Sequence, residues 1–204
     1  MGDEGFGPWA PLSVGDAAEL FGVASFRWWL SGGHALEMHL GRSWRAHDDT
    51  DIGVCRDDVP AVAGVLSGWD LHVAAAGVLT PWAGGPLSAE RSENNLWCRP
   101  TPSSPWRLDV TIGDGTPEEW IYRRDRTIRR PWAGAVLVSR TGVPHLAPEL
   151  QLLFKSTNRR AKDDLDAVTV LPELEPDRRA WLSAHLPADH PWRSLIVRAG
   201  SDAS

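Results

Sequence analysis

The chain has 204 residues, enough for one substantial core or for a main domain with a smaller companion. Its 27 acidic residues outnumber 21 basic ones, and the net charge of -6 argues against a nucleic-acid partner and for a cationic guest. No apolar run approaches the ~18 residues of a membrane span, and Met1–Glu4 carries no basic leader segment, so the expected setting is the cytoplasm.

The Gly- and Pro-rich opening reads as an extended arm to about Val14, followed by a short helix over Gly15 to Val23 with Asp16 at its N-cap. Phe26 to Leu30 is bulky and aromatic, which favours a buried strand. It runs into Ser31-Gly32-Gly33, and the apolar positions of His34 to Leu40 recur with helical spacing. A strand, a Gly-Gly turn and a helix can present backbone N–H groups to a phosphate with no Cβ in the way.

The stretch from Trp44 to Val54 follows, with Asp48, Asp49 and Asp51 ahead of an apolar run. On a strand, Asp49 and Asp51 would share a face with Cα atoms roughly 6.6 Å apart, which suits a divalent cation between them. The same residues also suit a solvated turn. Asp57 to Leu66 has helical spacing stopped by Gly68, Trp69 to Ala75 reads as a strand, and Val78 to Asn94 as a loop or hairpin. Another strand is expected at Leu96 to Arg99.

Trp106 to Ile112 is a strand with Asp109 standing among aliphatics. A carboxylate there either faces water at an edge or joins Asp49 and Asp51 in one acidic cluster, because burial alone would force it neutral. Glu119 to Arg124 resembles an amphipathic strand. Arg123, Arg124, Arg126, Arg129 and Arg130 form a dense basic run, open to three readings: a solvated face, contacts to a triphosphate, or internal acidic partners. Ala135 to Ser139 reads as a last short strand.

Composition shifts near Pro144. A helix is expected from Pro148 through Lys155 to Arg160, another from Lys162 to Val170, and further helices at Arg178 to Leu186 and Trp192 to Val197. This divides the chain into residues 1–143 and a helical part, 144–204. Cys55 and Cys98 lack metal or redox spacing and read as buried free thiols. Metal-bound carboxylates on two strands beside a Gly-Gly turn suit phosphoryl or nucleotidyl transfer, and no P-loop, Gly-x-Ser-x-Gly or His-Glu-x-x-His run offers a rival chemistry.

Ser31-Gly32-Gly33, then His47-Asp48-Asp49-Thr50-Asp51-Ile52, then Leu108-Asp109-Val110 resemble the signature of the DNA polymerase beta-like nucleotidyltransferases. Together with Leu40-Gly41-Arg42, Trp120 to Asp125, Gly142 to Lys155 and Arg160 to Asp166, the chain is similar to the bacterial aminoglycoside 2''-adenylyltransferases and their lincosamide-modifying relatives. That resemblance implies an α/β (α+β) fold: a mixed sheet flanked by helices, then a small helical part. It also implies two magnesium ions held by Asp49, Asp51 and Asp109, with Asp109 as general base. Ser31, Gly32 and Gly33 would contact the triphosphate of ATP or another nucleotide, and Lys155 and Lys162 would neutralise it. The acceptor would be a hydroxyl of a small cationic molecule such as an aminoglycoside. A toxin-like transferase acting on tRNA or protein, and a silent nucleotide-binding regulatory domain, are the alternatives. Two departures stand out: His34 where the family has a bulky aromatic, read as a hydrogen-bonded structural residue, and Glu37 where it has Asp.

Overall fold

A computed structural model describes residues 5–201; the expectation drawn from Met1–Glu4 falls outside them. The first helix, α1 (Val14–Phe21), starts one step earlier than expected, because Ser13 and not Asp16 caps it. The Ser13 hydroxyl oxygen accepts from the Asp16 N–H at 3.1 Å, leaving the Asp16 carboxylate in the first turn, where the helix dipole favours negative charge. Strand β1 (Trp28–Leu30) leads through Ser31 into α2 (Gly32–Leu40), and β2 (Asp51–Cys55) leads through a 3-10 turn into α3 (Val59–Val65).

The stretch read as a loop or hairpin does open as one: β3 (Asp70–Ala75) turns back as β4 (Val78–Pro81). Then come β5 (Asn95–Arg99), β6 (Leu108–Gly115), β7 (Glu119–Ile121) and β8 (Arg129–Pro131), followed by α4 (Trp132–Ala135), β9 (Val136–Val138) and β10 (Pro144–Leu146). The C-terminal helices are α5 (Pro148–Lys155), α6 (Ala161–Val170), α7 (Pro176–His185) and α8 (Trp192–Ser201). Helix α5 stops at Lys155, short of the expected Arg160, and Asn158 takes a left-handed φ of 54° in the connection.

The strands form one mixed sheet in the order β4-β3-β5-β6-β2-β1-β10-β9, with β7 and β8 branching from β6. The β2–β6 and β1–β10 pairs are parallel and the other pairs antiparallel. Residues 144–146, which fall in the expected helical part, therefore form a strand of this sheet, and the C-terminal helices begin at Pro148.

The sheet separates two cores. Ile52, Val54, Val110 and Ile112 pack against Ala17 and Phe21 of α1 and Val59 and Val62 of α3. On the opposite side Trp29, Trp120 and Leu146 pack with Leu150, Ala167, Leu182 and Trp192 of the C-terminal helices. Trp29 lies flat over neighbouring strands because Gly53 and Gly113 have no side chains there. A Cβ on Gly53 would fall 2.0 Å from Trp29 Nε1, and one on Gly113 2.9 Å from the same ring.

Candidate active site

Parallel pairing of β2 and β6 sets Asp51 directly opposite Asp109 at the start of both strands, so the two carboxylates project from one face. Asp49 precedes β2 and lies in the bend leading to it, not on the strand. The chain's path, and not strand alternation, brings it to the others. Burial first, then the charges of Asp49 and Asp109, hold the Asp51 carboxyl well above the usual range. Burial also pushes Asp109 up to about 7, against the Asn95 hydrogen bond, with Asp49 adding to the rise. Asn95 Nδ2 donates to both Asp109 oxygens, at 2.9 and 2.8 Å. Asp48 is the exposed member of the run and pairs with Lys162 Nζ at 3.3 Å.

The Gly-Gly turn abuts this cluster. Gly32 has φ 67°, and a Cβ there would lie 2.0 Å from Asp51 Oδ2, so both backbone conformation and space require glycine. Its N–H donates to Gln151 Oε1 of α5 at 3.0 Å. Ser31 is the N-cap residue of α2 but makes no side-chain cap, and its N–H is bound to the Asp51 carbonyl at 2.9 Å.

Ser31, Gly32, Gly33, Asp49, Asp51, Lys155 and Lys162 all line one cavity of about 430 Å³ between the sheet and α5–α6. Asp109 does not. It lines a second hollow of about 350 Å³ on the far side of the carboxylates.

The cations of the first cavity arrive already engaged. Lys155 Nζ is 3.0 Å from Asp163 Oδ1 and 3.0 Å from Asp166 Oδ2, and all three side chains are buried. Arg160 and Lys155 hold Asp163 down to about 2 although its burial works the other way. The basic run divides. Arg123 and Arg124 line the cavity and donate to the Ile112 and Phe154 carbonyls, whereas Arg126 pairs with Asp114 at 2.7 Å and Arg130 with Glu149. Three contributors gave no signal of their own in the sequence: Asn95 on Asp109, Gln151 on the Gly32 amide, and Arg45. Arg45 sits in the His47-Asp48-Asp49 approach and clasps the buried Asp166 with two hydrogen bonds of 2.8 and 2.9 Å.

His34, Glu37 and His47 bring two ring nitrogens and a carboxylate oxygen within 4.8 Å of one another. Arg45 NH1 stands 3.0 Å from His47 Nδ1, and His47 Nε2 lies 3.0 Å from Glu37 Oε1 without making a hydrogen bond to it. His34 is held by stacking on His47, with centroids 3.9 Å apart, its Nδ1 remaining 3.9 Å from Glu37. The hydrogen-bonded role expected for His34 gives way to a packing role. Burial, then the His47 charge, lower its pKa to about 4.

No protein-family model matches the chain. Its fold is similar to that of the lincosamide antibiotic adenylyltransferase LnuA in its lincomycin-bound form, with a TM-score of 0.51 and 16% identity over 77% of this chain and 95% of that one. It is also similar to the antibiotic-resistance factor ANT(2'')-Ia, with a TM-score of 0.56 and 13% identity over 93% of this chain and 94% of that one. At such identities the shared property is the fold, a mixed sheet flanked by helices.

Proposed function

We propose that the chain is a magnesium-dependent nucleotidyltransferase of the cytoplasm that moves AMP from ATP onto a hydroxyl of a small-molecule acceptor. The observation that carries this is the meeting of Asp49 and Asp51 beside the Gly32 turn, in a cavity faced by Lys155, Lys162, Arg123 and Arg160, with Asp109 directly opposite Asp51 on the neighbouring strand. Three crowded carboxylates, of which Asp51 and Asp109 are raised by burial and by neighbouring charge, form an oxygen-only donor set with unmet charge, which fits a hard divalent cation. Asp49, Asp51 and Asp109 would hold it; when bound, magnesium neutralises phosphate charge and orients the α-phosphorus. The two fold relatives support the reading by their names, an adenylyltransferase and an antibiotic-resistance factor.

The chain's own residues then have separable tasks. The Ser31 to Gly33 turn receives phosphate oxygens at the start of α2, once Gln151 Oε1 yields the Gly32 amide. Asp109, steadied by Asn95, takes the acceptor's proton as that oxygen attacks the α-phosphorus. The bond to the bridging oxygen breaks, and pyrophosphate leaves towards Lys155, Lys162 and Arg160.

The test is pyrophosphate release from ATP and magnesium in the presence of lincomycin, an aminoglycoside or other hydroxyl-bearing acceptors. Acceptor-dependent release supports transfer. ATP binding with no release for any acceptor would leave a silent nucleotide-binding domain, and release only with tRNA or protein would favour the toxin-like alternative.

A further inference from the structure

We infer that the second hollow is the acceptor site and that it takes a neutral molecule with a flat apolar face, not a polyammonium one. The inference rests on the nucleotidyl-transfer reading of the three carboxylates and narrows its acceptor.

The two hollows flank the carboxylates and divide them. Asp49 and Asp51 line the first, and Asp109, the proposed proton acceptor, lines the second. Each has the volume of a site for one small molecule. The first contains the Gly-Gly turn and six cationic side chains, Arg45, Arg123, Arg124, Lys155, Arg160 and Lys162, against the carboxylates of Asp49, Asp51 and Asp163. That excess suits a triphosphate and repels a polycation. A hydroxyl reaching Asp109 is therefore expected to arrive through the second hollow.

The second hollow is walled by Phe6 and Trp97, floored by the β3–β4 hairpin from Ala74 to Leu79, and closed by Asn95 and Asp109. Asp109 is its one charged lining residue among the described residues. Trp97 sits opposite Asp109 across β5 and β6 and is fixed from behind, with Trp9 and Trp106 at centroid distances of 5.0 and 5.7 Å and Phe6 edge-on at 5.9 Å. A braced aromatic wall is a stacking surface for a ring. A molecule with four or five ammonium groups would find a single carboxylate there and would lose hydration that nothing replaces. The net charge of -6 is therefore no guide to this hollow, which Asp109 alone of the described acidic residues lines.

The experiment uses the full chain with magnesium and α,β-methylene-ATP, titrated with 4-nitrophenyl β-D-glucopyranoside as the neutral ring-bearing probe and neomycin as the polyammonium one. Binding is read by saturation-transfer NMR and calorimetry. The glycoside is expected to bind with strongest saturation on its aromatic protons, neomycin to bind more weakly, and Trp97→Ala to weaken the glycoside about tenfold. Val78→Glu, at an exposed rim position that leaves the core intact, is expected to weaken the glycoside and strengthen neomycin. Tighter binding of neomycin to the unaltered chain, no detectable glycoside binding, or glycoside binding indifferent to both substitutions would overturn the inference. Nucleotide binding is measured first in the same sample: its absence, with glycoside binding retained, would sink nucleotidyl transfer and not the apolar character of the hollow.

Discussion

Asp51 and Asp109 sit side by side because two strands run parallel in one register, and Asp49 joins them from a bend, so the three are not equivalent. Asp49→Asn and Asp51→Asn should each lower turnover by about 10²-fold or more, and weaken magnesium-nucleotide binding in calorimetry. Asp109→Asn should retain nucleotide binding and lose the chemical step in single-turnover measurements. Unchanged magnesium-nucleotide binding in both of the first two variants would refute the metal assignment. The stacked pair His34–His47 makes a second, independent prediction at this scale. A histidine with a native pKa of about 4 and an ordinary unfolded value near 6.5 binds more protons when unfolded between those limits, so stability should fall as pH drops through that window. His34→Phe removes that term, and the fall in urea midpoint between about pH 7 and pH 4.5 should become smaller than in the unaltered chain. Residue types made Asp51, Asp109 and Gly32 candidates in advance, whereas Asp49 was placed by a strand spacing that the chain does not follow, since β2 begins at Asp51. The stacking of His34 on His47 was not legible in the sequence, because it depends on the Arg45–His47 segment folding back onto α2, a contact made only after folding.

At the scale of elements, α5 and α6 are tied by the buried triad of Lys155 with Asp163 and Asp166. Lys155→Met would leave two buried carboxylates with one cation fewer and is expected to destabilise the protein by about 3–5 kcal/mol, read as a lowered urea midpoint. Lys162→Ala removes only an exposed contact to Asp48, so its stability should change little while the KM for nucleotide rises. The pair of variants separates Lys155, whose ion pairs also build the cavity wall, from Lys162, whose loss should act on nucleotide binding with the fold kept. Elements with strong periodicity, such as α3 and α6, were readable from spacing. The strand β10 was not: three residues, Pro144 to Leu146, carry no periodicity and become a strand only by pairing with β1 and β9. Helix α5 ended early for a reason equally invisible locally, the left-handed turn at Asn158 that aims α6 back over the cavity.

For the whole molecule, the division at residue 143 follows composition more closely than it follows contacts. Trp29, Trp120 and Leu146 on the sheet share one core with Leu150, Leu182 and Trp192 of the C-terminal helices, and β10 crosses that division. A fragment of residues 1–143 is therefore expected to lack a cooperative unfolding transition by circular dichroism, whereas the full chain shows one; a folded fragment would establish the catalytic part as autonomous. Fold class came from the resemblance carried by the Gly-Gly turn and the spaced aspartates, and the order of strands and helices along the chain agrees with it. Net charge locates no site, because a sum over the chain says nothing of where the charges lie.

The pairing of Leu30 with His145 also sets a clock on synthesis. A ribosome that has just made Trp28-Trp29-Leu30 must add more than a hundred further residues before the parallel neighbour exists, on the order of ten seconds at ~5–20 residues per second. Throughout that interval an apolar strand edge with two tryptophans is open to pairing with other nascent chains. Yield of dispersed protein should accordingly rise when chaperones that bind unfolded apolar segments are supplied in excess, and a yield indifferent to them would show that α2 or β2 shields this edge during synthesis.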